Sequence, residues 1–293
     1  MQASLLSQKR KQAQFTPGLL TSKKMEVTDE INLVFPLILL LFSQYCGAVI
    51  KRHDIPATAY QVVKPPEYLI DMPHDGHGVL ISPNWIVTVA HVIFYDYQGK
   101  MIDIGDKSYQ VEKVIIHPGY KKPDKSLTQG DAKPLMDFFK SNHDIALVKL
   151  ASSVHEVAPI KLYSEADELG KTVSVYGKGS TGDGLTGEVK GTKSLKVLNR
   201  FENEIETLEA NWLSLKFDRP PHGLELEGIE GNGDSGGPSV IHKNNTPYLA
   251  GLVSWDYWQG DLASFKNGLY GNRSYQVRIS SYIKWINHTI NNS

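Results

Sequence analysis

The sequence predicts an all-β protein made of many short strands. Its 293 residues, of which 41% are hydrophobic and 22% charged, are enough to bury a full globular core. The 25 glycines and 15 prolines favour frequent turns. Between these turns lie short runs rich in Val, Ile, Tyr and Trp, which is the pattern expected of antiparallel strands.

The segment 1–48 is expected to hold an N-terminal extension and a secretory signal, separate from a folded domain at 49–293. Its apolar run at 31–42 is too short to span a bilayer comfortably, and small residues follow at Cys46-Gly47-Ala48. We therefore predict cleavage after Ala48, which would give a secreted protein, extracellular or periplasmic, with no stable membrane span. A signal anchor or a core helix is the alternative, and Met25 is an alternative start of the chain.

The charge of the chain points to no special partner. Residues 49–293 carry 26 Lys and Arg against 29 Asp and Glu. Nucleic-acid binding depends on a strongly basic surface, so we expect no nucleic-acid partner. His74 and His77 lie near Asp75, but no third ligand is evident and we predict no metal site. We also expect no cofactor and a monomer.

The first half of the domain opens with two β-rich segments. The runs at 79–82 and 85–89 surround a Pro83-Asn84 turn, and the second of them delivers His91 at the end of a strand. A further strand is expected at 109–116.

A turn and a long loop should follow. The run 117–120 is predicted to be a turn, and residues 121–143 are rich in Lys, Asp and Pro and are expected to form a loop of unusual length. The run Asp144-Ile145-Ala146-Leu147-Val148-Lys149-Leu150 then predicts a strand. The first half of the domain would end near residue 165.

The second half should contain strands at 172–179, 213–217 and 248–255. A C-terminal helix is predicted over 277–290, because apolar residues recur there at helical spacing. These residues are Val277, Ile279, Ile283, Trp285 and Ile286.

The most informative run is Gly233-Asp234-Ser235-Gly236-Gly237-Pro238. Glycines let the backbone adopt positive φ angles and approach a substrate closely. A serine held between them can present its hydroxyl beside exposed backbone N–H groups. The run therefore predicts a nucleophile for acyl transfer.

This run resembles the active-serine motif of the chymotrypsin and trypsin superfamily of serine proteases. Trp85-Ile86-Val87-Thr88-Val89-Ala90-His91 is similar to the histidine motif of the family, and the run 144–150 is similar to its aspartate strand. The order His, Asp, Ser is that of chymotrypsin and differs from the order in subtilisins and α/β-hydrolases. The intervals of 53 and 91 residues also suit the family.

The resemblance extends over about 50–290 and implies the fold. It implies two six-stranded antiparallel β-barrels, at about 49–165 and 166–276, followed by the helix at 277–290. The only cysteine, Cys46, lies in the predicted signal, so the mature chain would have no disulfide. This is typical of bacterial members of the family.

The resemblance also implies the roles of the three motif residues. Ser235 would be the nucleophile, His91 the general base, and Asp144 the group that orients the imidazole. The backbone N–H groups of Gly233 and Ser235 would form the oxyanion hole. Asp234 would pair with a new α-amino group, and Ile50 belongs to the predicted N-terminus that would supply it.

The sequence gives two opposing indications of substrate selection. Counting six residues back from the serine puts Ile229 at the floor of the main pocket, and Ser254-Trp255 matches the strand that pairs with substrate backbone. By the same resemblance, Asp256 takes a position where the family usually has glycine, and it would crowd or charge the mouth of the pocket. Ile229 favours apolar substrates, whereas Asp256, Glu227 or Glu230 would favour basic ones.

The sequence therefore predicts a secreted serine endopeptidase that acts on proteins or peptides through an acyl-enzyme. One alternative is a protease-like binding protein with a collapsed pocket or oxyanion loop. Asp256, and Lys178 in place of a family tryptophan, motivate this alternative. The other is an esterase that uses the same nucleophile. The segment 121–143 would lie beside the substrate cleft, either restricting access to it or serving as a solvated insertion.

Overall fold

The structure is a computed structural model that describes residues 47–189 and 197–293. The apolar run at 31–42 and Cys46, which belong to the predicted signal peptide, lie outside these residues. None of the helices within them is long and apolar enough to cross a bilayer.

From residue 47, where the description begins, eight strands precede residue 165. In chain order they are β1 Val49–Lys51, β2 Leu69–Asp71, β3 His77–Ser82, β4 Trp85–Thr88, β5 Met101–Ile104, β6 Lys107–Ile116, β7 Ala146–Leu150 and β8 Lys161–Leu162. Helix α1 spans Lys133–Ser141, between β6 and β7.

Nine strands and a second helix follow in the described residues. The strands are β9 Thr172–Gly177, β10 Thr181–Asp183, β11 Gly187–Glu188, β12 Asn199–Glu209, β13 Trp212–Lys216, β14 Gly228–Ile229, β15 Pro238–Lys243, β16 Thr246–Tyr257 and β17 Arg273–Arg278. Helix α2 spans Ile283–Asn291.

The first barrel contains six antiparallel strands in the order β2, β3, β4, β7, β6, β5. The two end strands approach each other, so the barrel is nearly closed. Strand β4 is buried along its whole length because it lies at the centre of the sheet, with Trp85, Ile86 and Val87 in the core. The hairpin predicted around Pro83-Asn84 is present as β3 and β4.

The second barrel is closed. Its strands run in the order β15, β9, β12, β13, β17, β16, and pairing of β15 with β16 completes the ring. The short strand β8 adds to β16 in parallel. The prediction of an all-β fold with two six-stranded barrels is thereby confirmed.

The assignment of chain segments to the barrels differs from the sequence expectation of 49–165 and 166–276. The strands of the first barrel span only 69–150, while β1 pairs with β10 and β14, and β8 pairs with β16, all from the second half. Pairing across such long sequence separations cannot be read from local patterns, and it decides where these two short strands lie.

Two further differences concern helices. The segment 121–143 is not a continuous loop, because residues 133–141 form α1 with Leu135 and Met136 buried. The C-terminal helix starts at Ile283 rather than at 277, because Val277 and Arg278 belong to β17. Strand β17 pairs with both β13 and β16, and these pairings override the helical spacing of the apolar residues.

Candidate active site

His91 and Asp144 are brought together by strand pairing in the first barrel. His91 lies in the turn Ala90–Val92, just after β4, and Asp144 lies two residues before β7. Thr88 of β4 pairs with Ala146 of β7, so the end of one strand and the start of the other share an edge of the sheet. His91 Nδ1 lies 2.6 Å from Asp144 Oδ2, and the His91 amide donates to Asp144 Oδ1 at 2.8 Å.

The environment of this pair favours its ionised form. Burial lowers the pKa of His91, but the charge of Asp144 and the hydrogen bond to it outweigh burial, so the pKa is raised. Burial likewise acts to raise the pKa of Asp144. The charge of His91, the hydrogen bond from His91 and the hydrogen bond that the Ser254 hydroxyl donates at 2.7 Å outweigh burial, so the pKa of Asp144 lies below its ordinary value. An ionised Asp144 keeps the proton on Nδ1 of His91 and leaves Nε2 able to accept one.

Ser235 lies in a tight turn that is anchored to both barrels. The amide of His77 in β3 donates to the Ser235 carbonyl at 2.7 Å, and the amide of Gly236 donates to Val253 of β16 at 2.8 Å. Gly236 has a φ of +77°, and a Cβ there would lie 2.0 Å from the His77 carbonyl oxygen. Only glycine therefore fits after the serine.

Ser235, His91 and Asp144 line one cavity of 350 Å³. Within residues 47–189 and 197–293, the Ser235 hydroxyl makes no hydrogen bond. Contacts between a nucleophile and its base are often loose in unliganded sites and tighten when substrate binds. The cavity thus gathers a hydroxyl, an imidazole and a carboxylate from three distant segments.

Two backbone N–H groups near the Ser235 hydroxyl have no acceptor among the described residues. The amides of Gly233 and Ser235 donate to no group in the described part of the chain, although those of Asp234, Gly236 and Gly237 are all bonded. Gly233 has a φ of +95°, which sets the direction of its peptide. Unbonded backbone N–H groups of this kind are what an oxyanion site requires.

Asp234 points away from Ser235 into the protein and is 1% exposed. Its carboxylate accepts from Gly179 N at 2.7 Å and from Gly231 N at 2.9 Å. Burial raises its pKa to about 6, although these bonds and the charge of His77 oppose the rise. A Cβ on Gly177 would lie 2.0 Å from the carboxylate, so glycine is required there.

The residues at the predicted N-terminus form β1, which pairs with strands of the second half of the domain. Ile50 pairs with Ile229 on one side and with Gly182 on the other, and its side chain is fully buried. Thr181 Oγ1 donates to the Val49 carbonyl at 3.1 Å. Val49 has a φ of +57°, an unfavourable backbone conformation for a β-branched residue. The strand is therefore held beside the serine loop, with backbone strain at its first residue.

The predicted substrate-binding residues lie in different environments. Ile229 is fully buried in an apolar cluster with Ile50 and Phe217. Trp255 lines the cavity that holds Ser235, and its ring stacks on Tyr275 with the centroids 4.1 Å apart. Ser254 also lines that cavity and holds Asp144.

Asp256 and Glu230 belong to a buried acidic network, which also includes Gln276 and Ser239. The sequence indicated the two carboxylates but not their surroundings. Glu230 is 3% exposed and contacts Gln276 at 3.4 Å, and Gln276 accepts from Ser239 Oγ at 2.8 Å. Burial raises the pKa of Glu230 to about 7, and burial together with the charge of Glu230 raises that of Asp256. Glu230 Oε2 and Asp256 Oδ1 have no partner in the described residues. Local sequence patterns do not reveal Gln276, because it is the pairing of β17 with its neighbouring strands that brings Gln276 to Glu230.

The segment 121–143 supplies much of the remaining cavity wall. Trp212 Nε1 donates to the Lys140 carbonyl at 2.9 Å, which ties α1 to the second barrel and sets Phe139 at the cavity. The only local signal was the aromatic pair Phe138-Phe139 in a polar segment. The further wall residues are Tyr120, Lys121, Pro123, Asn142, Trp212 and Asn232.

Two β-barrels, with Ser235, His91 and Asp144 lining one cavity, define the class of chymotrypsin-like proteins. The family model for trypsin matches residues 67–286. Because this is well over half of the chain, the protein belongs to the trypsin family, within the chymotrypsin and trypsin superfamily of serine proteases.

Relatives in this family are distant. Vitamin K-dependent protein C of Mus musculus is 25% identical over 240 residues, which is 73% of this chain and 45% of the relative. Chymotrypsin-like elastase family member 1 of Canis lupus familiaris is 25% identical over 238 residues, 74% of this chain and 81% of the relative. The chain spans about half the length of the protein C relatives that it matches.

A solved structure supports the fold. The chain is similar to neuropsin, described as a serine protease expressed in the limbic system of mouse brain, with a TM-score of 0.57 and 20% identity. The match covers 83% of this chain and all of that one. The bacterial origin expected from the cysteine content stays a prediction.

Proposed function

We propose that the protein is a secreted serine endopeptidase that uses His91, Asp144 and Ser235. The observation that carries the proposal is that these side chains line one cavity, beside two backbone amides that have no acceptor in the described residues. A hydroxyl alone is a weak nucleophile, and a base and a pre-oriented oxyanion site supply what it lacks.

The first half of the reaction forms the acyl-enzyme. Ser235 Oγ attacks the peptide carbonyl carbon while His91 Nε2 takes the hydroxyl proton, and Asp144 stabilises the imidazolium. The carbonyl oxygen becomes an oxyanion that accepts from the amides of Gly233 and Ser235. The C–N bond then breaks, and His91 gives its proton to the leaving amine.

The second half releases the acid. A water molecule attacks the acyl carbon, His91 accepts a proton from it, and a second tetrahedral oxyanion forms at the same two amides. Its collapse breaks the bond to Ser235 Oγ, which recovers its proton from His91.

We further propose that cleavage after Ala48 produces the active N-terminus. Burial of Ile50 beside Ile229 supports the idea, because the strand already lies in the region of the serine loop. The positive φ of Val49 also supports it, since cutting the preceding peptide bond would release that strain. The new amino group would pair with Asp234. N-terminal sequencing of the secreted protein tests this, and a start far from Val49 or Ile50 would contradict it.

A catalytically impaired binding protein is the second candidate. The buried carboxylates of Glu230 and Asp256 favour it, because they lie around the region that the family uses for the substrate side chain and they make that region costly to fill with an apolar group. The esterase alternative has no structural observation of its own.

Turnover assays separate these functions. The purified protein, with Ser235→Ala as the inactive control, is incubated with unfolded protein, with a peptide library and with small activated esters. If the protein is an endopeptidase, the wild type should cleave protein and peptides. The rate of cleavage should be at least 1,000-fold lower in the variant, roughly the loss on removing one triad member. Ester turnover alone would favour the esterase. No turnover by the folded wild type would favour the binding protein.

A further inference from the structure

A second cavity adjoins the serine loop and is not used by the mechanism above. It has a volume of 460 Å³, and Asn232 belongs to its wall and to the wall of the catalytic cavity. Gly233, one of the two oxyanion donors, also lines it. Its main polar residues are Asp71, His74, Asp75, Lys178, Ser180 and Asn232.

The position of this cavity assigns it to the leaving-group side of a bound peptide. Ser254 and Trp255 of β16 line the catalytic cavity, and by the resemblance to the family they would pair with the backbone on the acyl side of the substrate. A peptide leaves the scissile carbonyl in two directions. The second cavity is lined by Gly233 and by no residue of β16, which assigns it to the direction away from β16. This assignment rests on the proposed function.

The two carboxylates that line this cavity, Asp71 and Asp75, differ in their ion pairing. Lys178 Nζ contacts both carboxylate oxygens of Asp71 at 2.9 Å, and His77 Nδ1 lies 3.3 Å from the same carboxylate, so Asp71 is neutralised. Asp75 has no ion pair within the described residues, and its Oδ1 accepts only from the amide of Gly76, at 2.9 Å. One exposed negative charge therefore remains without a counter-charge.

Asp75 lies close to Gly233, whose amide is one of the two proposed oxyanion donors. Its Oδ1 is 3.5 Å from the point where a Cβ on Gly233 would lie. Its charge also reaches His91, since, after burial and Asp144, it is a further influence on the pKa of that histidine and acts to raise it. A cationic side chain placed next to the scissile bond on this side would lie within a few ångströms of the carboxylate.

We propose that this cavity receives the first or second residue after the scissile bond, and that Asp75 selects lysine or arginine there. The exposed carboxylate attracts a cation and repels an acidic side chain. Exposed ion pairs have modest strength and are screened by salt, so the preference should be about two- to fivefold and should decline as ionic strength rises.

The test uses internally quenched peptides that are identical on the acyl side and carry Arg, Ala or Glu at the two positions after the scissile bond. For the wild type, kcat/KM should decrease in the order Arg, Ala, Glu. Asp75→Asn should equalise the three peptides, and Asp75→Lys should reverse their order. Asp106→Asn, an exposed change in the β5–β6 turn that lines neither cavity, is the matched control and should keep the wild-type order.

A binding measurement makes the outcome independent of turnover. The Kd of the leaving-group peptides is measured on the Ser235→Ala protein, with and without Asp75→Asn. Tighter binding of the Arg peptide than of the Glu peptide, lost with Asp75→Asn, supports the proposal. Equal Kd values for the Arg and Glu peptides, or a preference that survives in Asp75→Asn, would overturn it. A wild type that binds the Arg peptide selectively but cleaves nothing would instead refute the proposed function alone.

Discussion

His91 Nδ1 and Asp144 Oδ2 lie 2.6 Å apart although 53 residues separate them in the chain. The pairing of β4 with β7 places both at one edge of the first barrel, and the His91 amide adds a second bond to the same carboxylate. The imidazole is thus held in one orientation before any substrate arrives.

Removing the charge of Asp144 should abolish most of the activity without unfolding the protein. Asp144→Asn keeps the shape of the side chain but no longer favours the proton on His91 Nδ1, so kcat should fall roughly 10,000-fold. Steady-state kinetics on a peptide substrate measures the loss. Circular dichroism is the control for folding, and an active Asp144→Asn protein would contradict the assigned role.

The pH profile should report the raised pKa of His91. The base must be neutral to accept a proton, so kcat/KM rises with pH through the pKa of His91, and the midpoint should lie above the ordinary value of about 6.5. The charged groups that raise this pKa are Asp144 and Asp75. Asp75→Asn should therefore move the midpoint to lower pH. An unchanged or higher midpoint in this variant would contradict the electrostatic account.

A methyl group at Gly236 should displace Ser235, the proposed nucleophile. Gly236→Ala would place its Cβ 2.0 Å from the His77 carbonyl oxygen, so the turn must move. We expect a loss of at least about 100-fold in kcat/KM and of roughly 3 kcal/mol or more in the free energy of unfolding. Kinetics and urea unfolding measure the two effects.

Gly99 offers a matched control for this change. It has a φ of +76°, almost the same as Gly236, but a Cβ there meets nothing within 4 Å. Gly99→Ala should cost only about 1–2 kcal/mol of stability, from backbone strain, and should keep full activity. Equal loss of activity in both variants would show that the clash with His77 is not the cause.

The buried acidic network should make the protein less stable as pH rises from about 4.5 to about 7. The pKa of Glu230 is raised by burial to about 7 in the folded protein, against 4.5 for a free side chain. The folded state therefore holds this proton longer than the unfolded state, and the penalty for ionisation is absent below pH 4.5 and complete above about 7.

Glu230→Gln should remove this part of the pH dependence. At pH 8 the variant should gain stability on the order of 3 kcal/mol relative to wild type, and at pH 4 the two should be similar. Urea unfolding across this pH range provides the measurement. Glu225→Gln, at an exposed position, is the control. A variant that is less stable than wild type at pH 8 would show that Glu230 is stabilising when ionised.

Local sequence patterns predicted those parts of the molecule that depend on neighbouring residues. The β3–β4 hairpin follows from apolar runs around Pro83-Asn84, and the glycines of the serine turn follow from its need for positive φ angles. The three motif residues were identified by their resemblance to a family, because nothing local shows that Asp144 lies beside His91. That contact depends on the register of two strands far apart in the chain.

The parts that were missed depend on tertiary pairing. Val277 fits the helical spacing of the apolar residues, but Val277 and Arg278 extend β17 because they pair with neighbouring strands. Helix α1 was not predicted, because the polar composition of 121–143 indicates a loop. The hydrogen bond from Trp212 to the Lys140 carbonyl fixes the position of this helix. The contact between Glu230 and Gln276 joins residues 46 positions apart and has no local signature.

The proposed activation of Ser235 by the His91–Asp144 pair is tested most directly by the rate at which Ser235 reacts with a fluorophosphonate. The wild type, His91→Ala and Ser235→Ala proteins are treated with the reagent, and the adduct is located by mass spectrometry. We predict one adduct, on Ser235 in the wild type, formed at least about 1,000-fold more slowly in His91→Ala and absent from Ser235→Ala. No adduct on the folded wild type, or equal rates in wild type and His91→Ala, would contradict the account.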